Sequence, residues 1–486
     1  MTQKGTDAGT SIKSIDSYKG LDGLPSLVGL HSMREVVSTG LTVNESVGRL
    51  KRIHWALIRL HQIFVSRITS VPIYELKMAF SLHAHYCVEH AGEFATRVKE
   101  MRQPPHGLEV CPHDSLDMFF DEILSAPSTE MLIAGLYECA VPALVRALEH
   151  LMTDTNKLFD HPTWRICRLT LIEIQDIQQY GTEATRCLVK GEQRAEFREW
   201  LGLLDRMLAA AGDLDGKQGP TGEALARKTS AVPYTYDPVP QRDARFKDPY
   251  NMGVNAEAML FDPDIEPLPK TIMLYFKRMR EIDVPEMMAS IIAEARDKPW
   301  EYDRDMTRQL WDEARHAMMG EIGFVSMGID WTNIPLNFTW SLGLNTMLTR
   351  KERHAVLFTI EQGLMPKKIG KEYEWEVAMA TANPLTALIQ DYDWADEVLH
   401  ARIGREWIVP EIGTQVEAME YGDRAWSKIL VDWKKWKDDG LTQHHNWWPD
   451  VYRAACRHWG MEPDPSLLAY STTYEDKRAD LKQVAG

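Results

Sequence analysis

Apolar residues recur along most of this chain at intervals of three and four, the period of an α-helix with one buried face. The pattern predicts helices at roughly 43–70, 73–102, 128–155, 162–190 and 192–211, and again at about 270–297, 299–320, 345–365 and 384–409. Pro72 separates the first two, and "RQPPHG" stops the second, because proline lacks the N–H that would continue a helix. Pro285, Pro299 and Pro384 each suit a helical first turn, and Pro410 ends the last of the series. Runs of alternating β-branched residues, the mark of strands, are almost absent. The expected class is all-α.

The gap between the two series has its own composition. From Gly212 to Pro269 the chain is rich in Gly, Pro and Asp ("GDLDGKQGPTGE", "VPYTYDPVPQRD", "FDPDIEPLP"), which reads as an extended strap between two helical regions. The expected organisation is a loose arm over 1–25, a helical bundle over 26–211, the strap over 212–269, a second bundle over 270–410 and a helical, aromatic-rich extension over 411–486.

Composition narrows the function classes. The chain has 486 residues, 44% hydrophobic, with 16 Trp and 23 Met, enough for large cores. Its formal net charge of −16 argues against nucleic-acid or acidic-membrane binding, since both need a basic footprint. No run of 18 apolar residues suggests a membrane span. The polar start "MTQKGTDAGTSIKS" lacks the apolar core of a signal peptide. The 6 cysteines form no C-x-x-C pair and read as reduced thiols. Together these give the expectation of a cytoplasmic protein.

Candidate chemistry sits in two helical stretches of the second series. "RQLWDEARHAMMGE" places Asp312, Glu313 and His316 in the order D-E-x-x-H, and "QDYDWADEVLHARIGREW" repeats that order with Asp396, Glu397 and His400. Residues three apart share a helix face, so each Glu and its His point the same way. A carboxylate on a partly apolar face has to be paired or bound to a metal. Each motif also has an upstream Glu suited to an antiparallel partner helix. For the first it is Glu286, with Glu281 and Glu294 as neighbouring alternatives. For the second it is Glu361, with Glu352 and Glu376 as rivals. Glu, Glu-x-x-His, Glu, Glu-x-x-His on four successive helices is the pattern of dinuclear carboxylate sites in four-helix bundles. Two adjacent cations repel and need several carboxylates, with imidazoles completing the shell and open positions for oxygen or water.

The motifs carry a resemblance. "DEARH" is similar to the D-E-x-R-H motif of bacterial multicomponent monooxygenase hydroxylases, and "IEQGL" with "DEVLHARIGREW" resembles bacterial ferritin-like proteins of the di-iron carboxylate superfamily. The resemblance implies two tandem ferritin-like four-helix bundles, with Glu286, Glu313, His316, Glu361, Glu397 and His400 as ligands of two iron ions. Manganese or a mixed iron–manganese pair is the alternative. It implies an oxidase or oxygenase using O2 on a small organic substrate, with an electron-donor protein and a second copy of the chain as candidate partners. The rivals are a ferroxidase or other metal-handling protein and a non-catalytic scaffold. Asp312 and Asp396 would accept an N–H bond from a ligating imidazole on a neighbouring helix. Radical-forming members carry a Tyr four residues after the first ligating His, where this chain has Gly320.

The first half can be laid over the second. Glu138 and Glu173 are spaced much as Glu361 and Glu397 are, and His90 matches His316, but Cys87 and Leu60 stand at ligand positions. The reading is a tandem duplication with a degenerate first copy. A substituted site using His83, His85, Glu89, His90, Glu138, Glu173 and Asp176 is the alternative.

Overall fold

Helix follows helix, and no strand forms among the residues that a computed structural model describes: 14–38, 40–251, 253–366, 370–430, 433–443 and 445–473. One isolated bridge, Val254 to Thr473, is the only β pairing among them. Residues 1–13 of the expected arm and 474–486 of the expected extension lie outside the described residues. The fold is all-α.

The long helices follow the predicted series. Val43–Arg67, Tyr74–Met101 and His161–Leu188 are continuous. The 128–155 stretch is helical over Thr129–Asp154 but passes through a π-helical turn at Gly135–Ala140. It is apolar enough to cross a membrane, yet 83% of its most apolar window is buried by the rest of the protein, so it is a core helix. Later come Trp300–Ser326, Arg350–Gly363 and Pro384–Trp407. Pro384 is the first residue of its helix, where a missing N–H costs nothing. Pro299 is the N-cap of its helix rather than a first-turn residue.

One predicted helix is broken. The 270–297 pattern forms Pro267–Arg280 and Asp283–Ala293, with Glu281 and Ile282 between them. Pro285 has no N–H for the carbonyl of Glu281, which takes the N–H of Val284 at 3.0 Å instead. Local sequence therefore makes this break, and Glu281 lies at it.

The chain divides into two compact units: residues 1–60 with 89–234, and residues 61–88 with 235–486. This differs from the sequence-based boundaries, which assign 61–88 to the first bundle and make 212–269 a single strap. The physical reason lies in what 61–88 touches. His61 Nε2 lies 2.8 Å from Thr307 Oγ1, the Tyr74 hydroxyl donates to Glu321 at 3.0 Å, and buried Lys77 pairs with Glu286 at 3.0 Å. In the second unit Pro267–Arg280 packs along Trp300–Ser326, which packs against Pro384–Trp407, and Arg350–Gly363 packs against the last. Gly320 permits the first of these approaches, since a Cβ there would stand 2.3 Å from the backbone nitrogen of Met279.

Three buried histidines of this unit set an acid limit. Burial lowers His61, His83 and His354 to about 3, with Arg350 and Lys298 adding to the effect at His354. The unfolded chain titrates near 6.5 and binds more protons below that pH, so stability falls as pH drops from about 6.5 toward 3. The expected slope is up to ~1.4 kcal/mol per pH unit for each histidine. Urea midpoints measured across this window should fall, and fall less in His61→Gln. A flat profile would contradict the assignment.

Candidate metal centre

The Trp300–Ser326 helix carries Glu313 and His316 one turn apart, and both are buried. The Pro384–Trp407 helix carries Asp393, Glu397 and His400 on one buried stripe at i, i+4 and i+7. Arg350–Gly363 supplies Glu361 from its last turn, and Glu281 enters from the break after Arg280. These side chains form two groups whose ligand atoms lie within 4.8 Å of one another: Glu313, Glu361, Glu397 and His400, and Glu281, His316, Asp393 and Glu397. Glu397 belongs to both.

The orphaned polar atoms point inward. Buried His316 Nδ1, His400 Nδ1, Glu281 Oε2 and Glu397 Oε2 have no hydrogen-bond partner. Yet His400 Nδ1 lies 3.1 Å from Glu313 and 3.5 Å from Glu397, and His316 Nδ1 lies 3.4 Å from Glu281 and 3.6 Å from Glu313. Atoms this close are within reach of a shared cation. Buried groups left without partners are costly, so this donor set of carboxylates and imidazoles fits two divalent ions.

Electrostatics agree. Burial, then Glu397 and Glu313, push Glu361 well above the usual carboxylate range. Burial works against charge on Glu397, but Lys371 and His400 hold it well below that range. His316 is buried, yet Asp396, Glu281 and Glu313 raise it to about 10. His400 is likewise buried and is raised well above its ordinary value by Asp312, Glu313 and Glu397. At both imidazoles the surrounding carboxylates outweigh burial.

Behind the imidazoles stand the two aspartates, exchanged between helices. His316 Nε2 lies 3.2 Å from Asp396 and His400 Nε2 lies 3.4 Å from Asp312. Arg315 bonds both aspartates, at 2.7 Å to Asp396, and Arg308 Nε reaches both oxygens of Asp312 at 3.0 Å. Each Asp therefore turns its imidazole so that Nδ1 faces the cluster. Asp396→Asn and Asp312→Asn should each still bind metal, about 10–100-fold more weakly, in an anaerobic titration. Wild-type affinity in both variants would remove the aspartates from the site.

Glu286 is not brought to this cluster. It is fully buried, but Arg242 grips it through Nε and Nη2 at 2.8 and 2.9 Å, Lys77 pairs with it at 3.0 Å, and the Ser341 hydroxyl donates at 2.9 Å. It belongs to neither group of converging ligand atoms. Glu281, at the break before this helix, lies in the cluster instead. Asp393 is a further member that the motif search missed, although its spacing four residues before Glu397 was visible. In the first half, Glu173 pairs with His90 at 2.7 Å and Glu138 with Arg194 at 3.0 Å. Neither metal-ligating group found among the described residues includes His83, His85, Glu89, His90, Glu138, Glu173 or Asp176.

A cavity of about 800 Å³ adjoins the cluster. Glu313, Glu361 and Glu397 reach it, and Met287, Trp340, Leu344 and Trp426 supply apolar wall. Comparison with family models, with curated proteins and with solved structures gives no match to this chain.

Proposed function

We propose that this protein is an O2-dependent oxidase or oxygenase with a dinuclear metal centre, acting on a small organic substrate. One observation carries the reading: two groups of buried ligand atoms share Glu397 and border a part-apolar cavity large enough for such a substrate. Glu281, His316, Asp393 and Glu397 would hold one ion, and Glu313, Glu361, Glu397 and His400 the other. Iron, or manganese in its place, would supply the binding and reduction of O2. The chain's own residues orient and shield. Asp312 and Asp396 fix the imidazoles, Gln309 Nε2 holds Glu361 at 3.1 Å, and the tryptophans narrow the water-accessible space.

The ferritin-like reading of the fold belongs here too. It is supported by the helices that pack around the site and by the D-E-x-x-H motifs on two of them. The degenerate tandem copy is supported by the intervals, 35 residues from Glu138 to Glu173 against 36 from Glu361 to Glu397. An electron-donor protein and a dimeric state follow from the same resemblance.

Protein loaded anaerobically with Fe(II) should consume O2 and develop a ferric–carboxylate absorption band. Iron turnover that no organic compound alters would favour the ferroxidase. Absence of metal after loading would leave a scaffold.

A further inference from the structure

The two ligand groups are not equally balanced by the chain's own cations. Glu281 and Asp393 are already met by cations of the chain: Arg278 Nη2 lies 2.9 Å from Glu281, and Arg278 Nη1 contacts Asp393. Buried Lys371 adds a third link, with Nζ 2.9 and 3.0 Å from the two oxygens of Asp393 and 2.8 Å from Glu397 Oε1. The other group is different. Glu361 is held by the amide of Gln309, and Glu313 lies against the two imidazoles, with Arg278 acting on it only at longer range. No Lys or Arg of the described residues pairs with either.

Lys371 is placed there by local structure. It opens the short Lys371–Ala380 helix, which lies in the chain between Arg350–Gly363 and Pro384–Trp407. Its backbone N–H bonds the carbonyl of Leu364 at 3.0 Å. Gly370 before it lets the chain pass so close that a Cβ would stand 1.9 Å from that same carbonyl oxygen. Glu374, one turn on, is engaged by Lys277. The ammonium is thus delivered on a tethered helix end, and a buried ammonium is tolerated only where carboxylates surround it.

We infer that Lys371 is a built-in cation that competes with metal at one of the two positions, so that the centre loads unequally. A divalent first-row ion binds first at Glu313, Glu361, Glu397 and His400. The position made by Glu281, His316, Asp393 and Glu397 accepts a second ion only when Lys371 is displaced from Asp393 and Glu397. This rests on the dinuclear reading above and adds an order of filling to it.

The test is anaerobic titration with Mn(II), free ion followed by electron paramagnetic resonance and bound ion by equilibrium dialysis. Wild-type protein should bind one Mn(II) tightly and a second at least about 10-fold more weakly. Lys371→Met should tighten the second ion by about 10-fold or more, closing the gap between the two affinities. It should also bring up the spin-coupled spectrum of a pair at Mn(II) concentrations where wild type shows a single ion. Lys371→Arg, which keeps the charge, should leave the second ion weak. Glu361→Gln should weaken the first ion selectively. Two equal affinities in wild type overturn the inference and leave the dinuclear reading standing, whether or not any variant folds. An unchanged second affinity in folded Lys371→Met also overturns it. Failure of wild type to bind any Mn(II) overturns both.

Discussion

Protein carrying His316→Ala and His400→Ala together should retain no metal after anaerobic loading with Fe(II). Each imidazole is the single nitrogen donor of its group, and each turns an unpartnered Nδ1 toward the carboxylates while its Nε2 is taken by an aspartate. Alanine removes the donor and leaves Asp396 or Asp312 paired only with arginine. The loss should exceed the roughly 10–100-fold weakening expected of the Asp→Asn variants, because a ligand is removed rather than reoriented. Elemental analysis of the folded variant decides the matter. Metal retained at the wild-type level would mean that the ions, if any, sit elsewhere, and the dinuclear reading would fall.

Glu286→Ala should cost about 3–5 kcal/mol of stability and leave the metal content of the folded protein unchanged. Its carboxylate is the hub of a buried ion cluster with Lys77 and Arg242, in which Asp283 is the other acid among the described residues. Removing the hub leaves two buried cations sharing one carboxylate, Asp283. Glu286→Gln, which keeps the side-chain volume and one acceptor oxygen, should cost less. Urea denaturation and metal analysis on the same samples separate the two roles. Loss of one metal ion with normal stability would restore Glu286 as a ligand and displace Glu281.

The periodic spacing of apolar residues determined the helices, because one buried face requires contacts at every third and fourth position. Glu313, His316, Glu397 and His400 were legible for the same reason: i and i+3 share a face whatever the helix packs against. Glu361 followed from its distance to the second motif. What the sequence did not decide was which acid completes the other group. That depended on tertiary packing: Glu281, at a break in one helix, lies among His316, Asp393 and Glu397, while Glu286 in the next segment meets Lys77 and Arg242. Both cations come from segments assigned elsewhere on sequence grounds, Lys77 from the first bundle and Arg242 from the strap. The entry of Lys371 and Arg278 among the ligands was equally hidden. A buried lysine and a solvated one look alike in sequence, and only tertiary packing removes the water that would otherwise satisfy them.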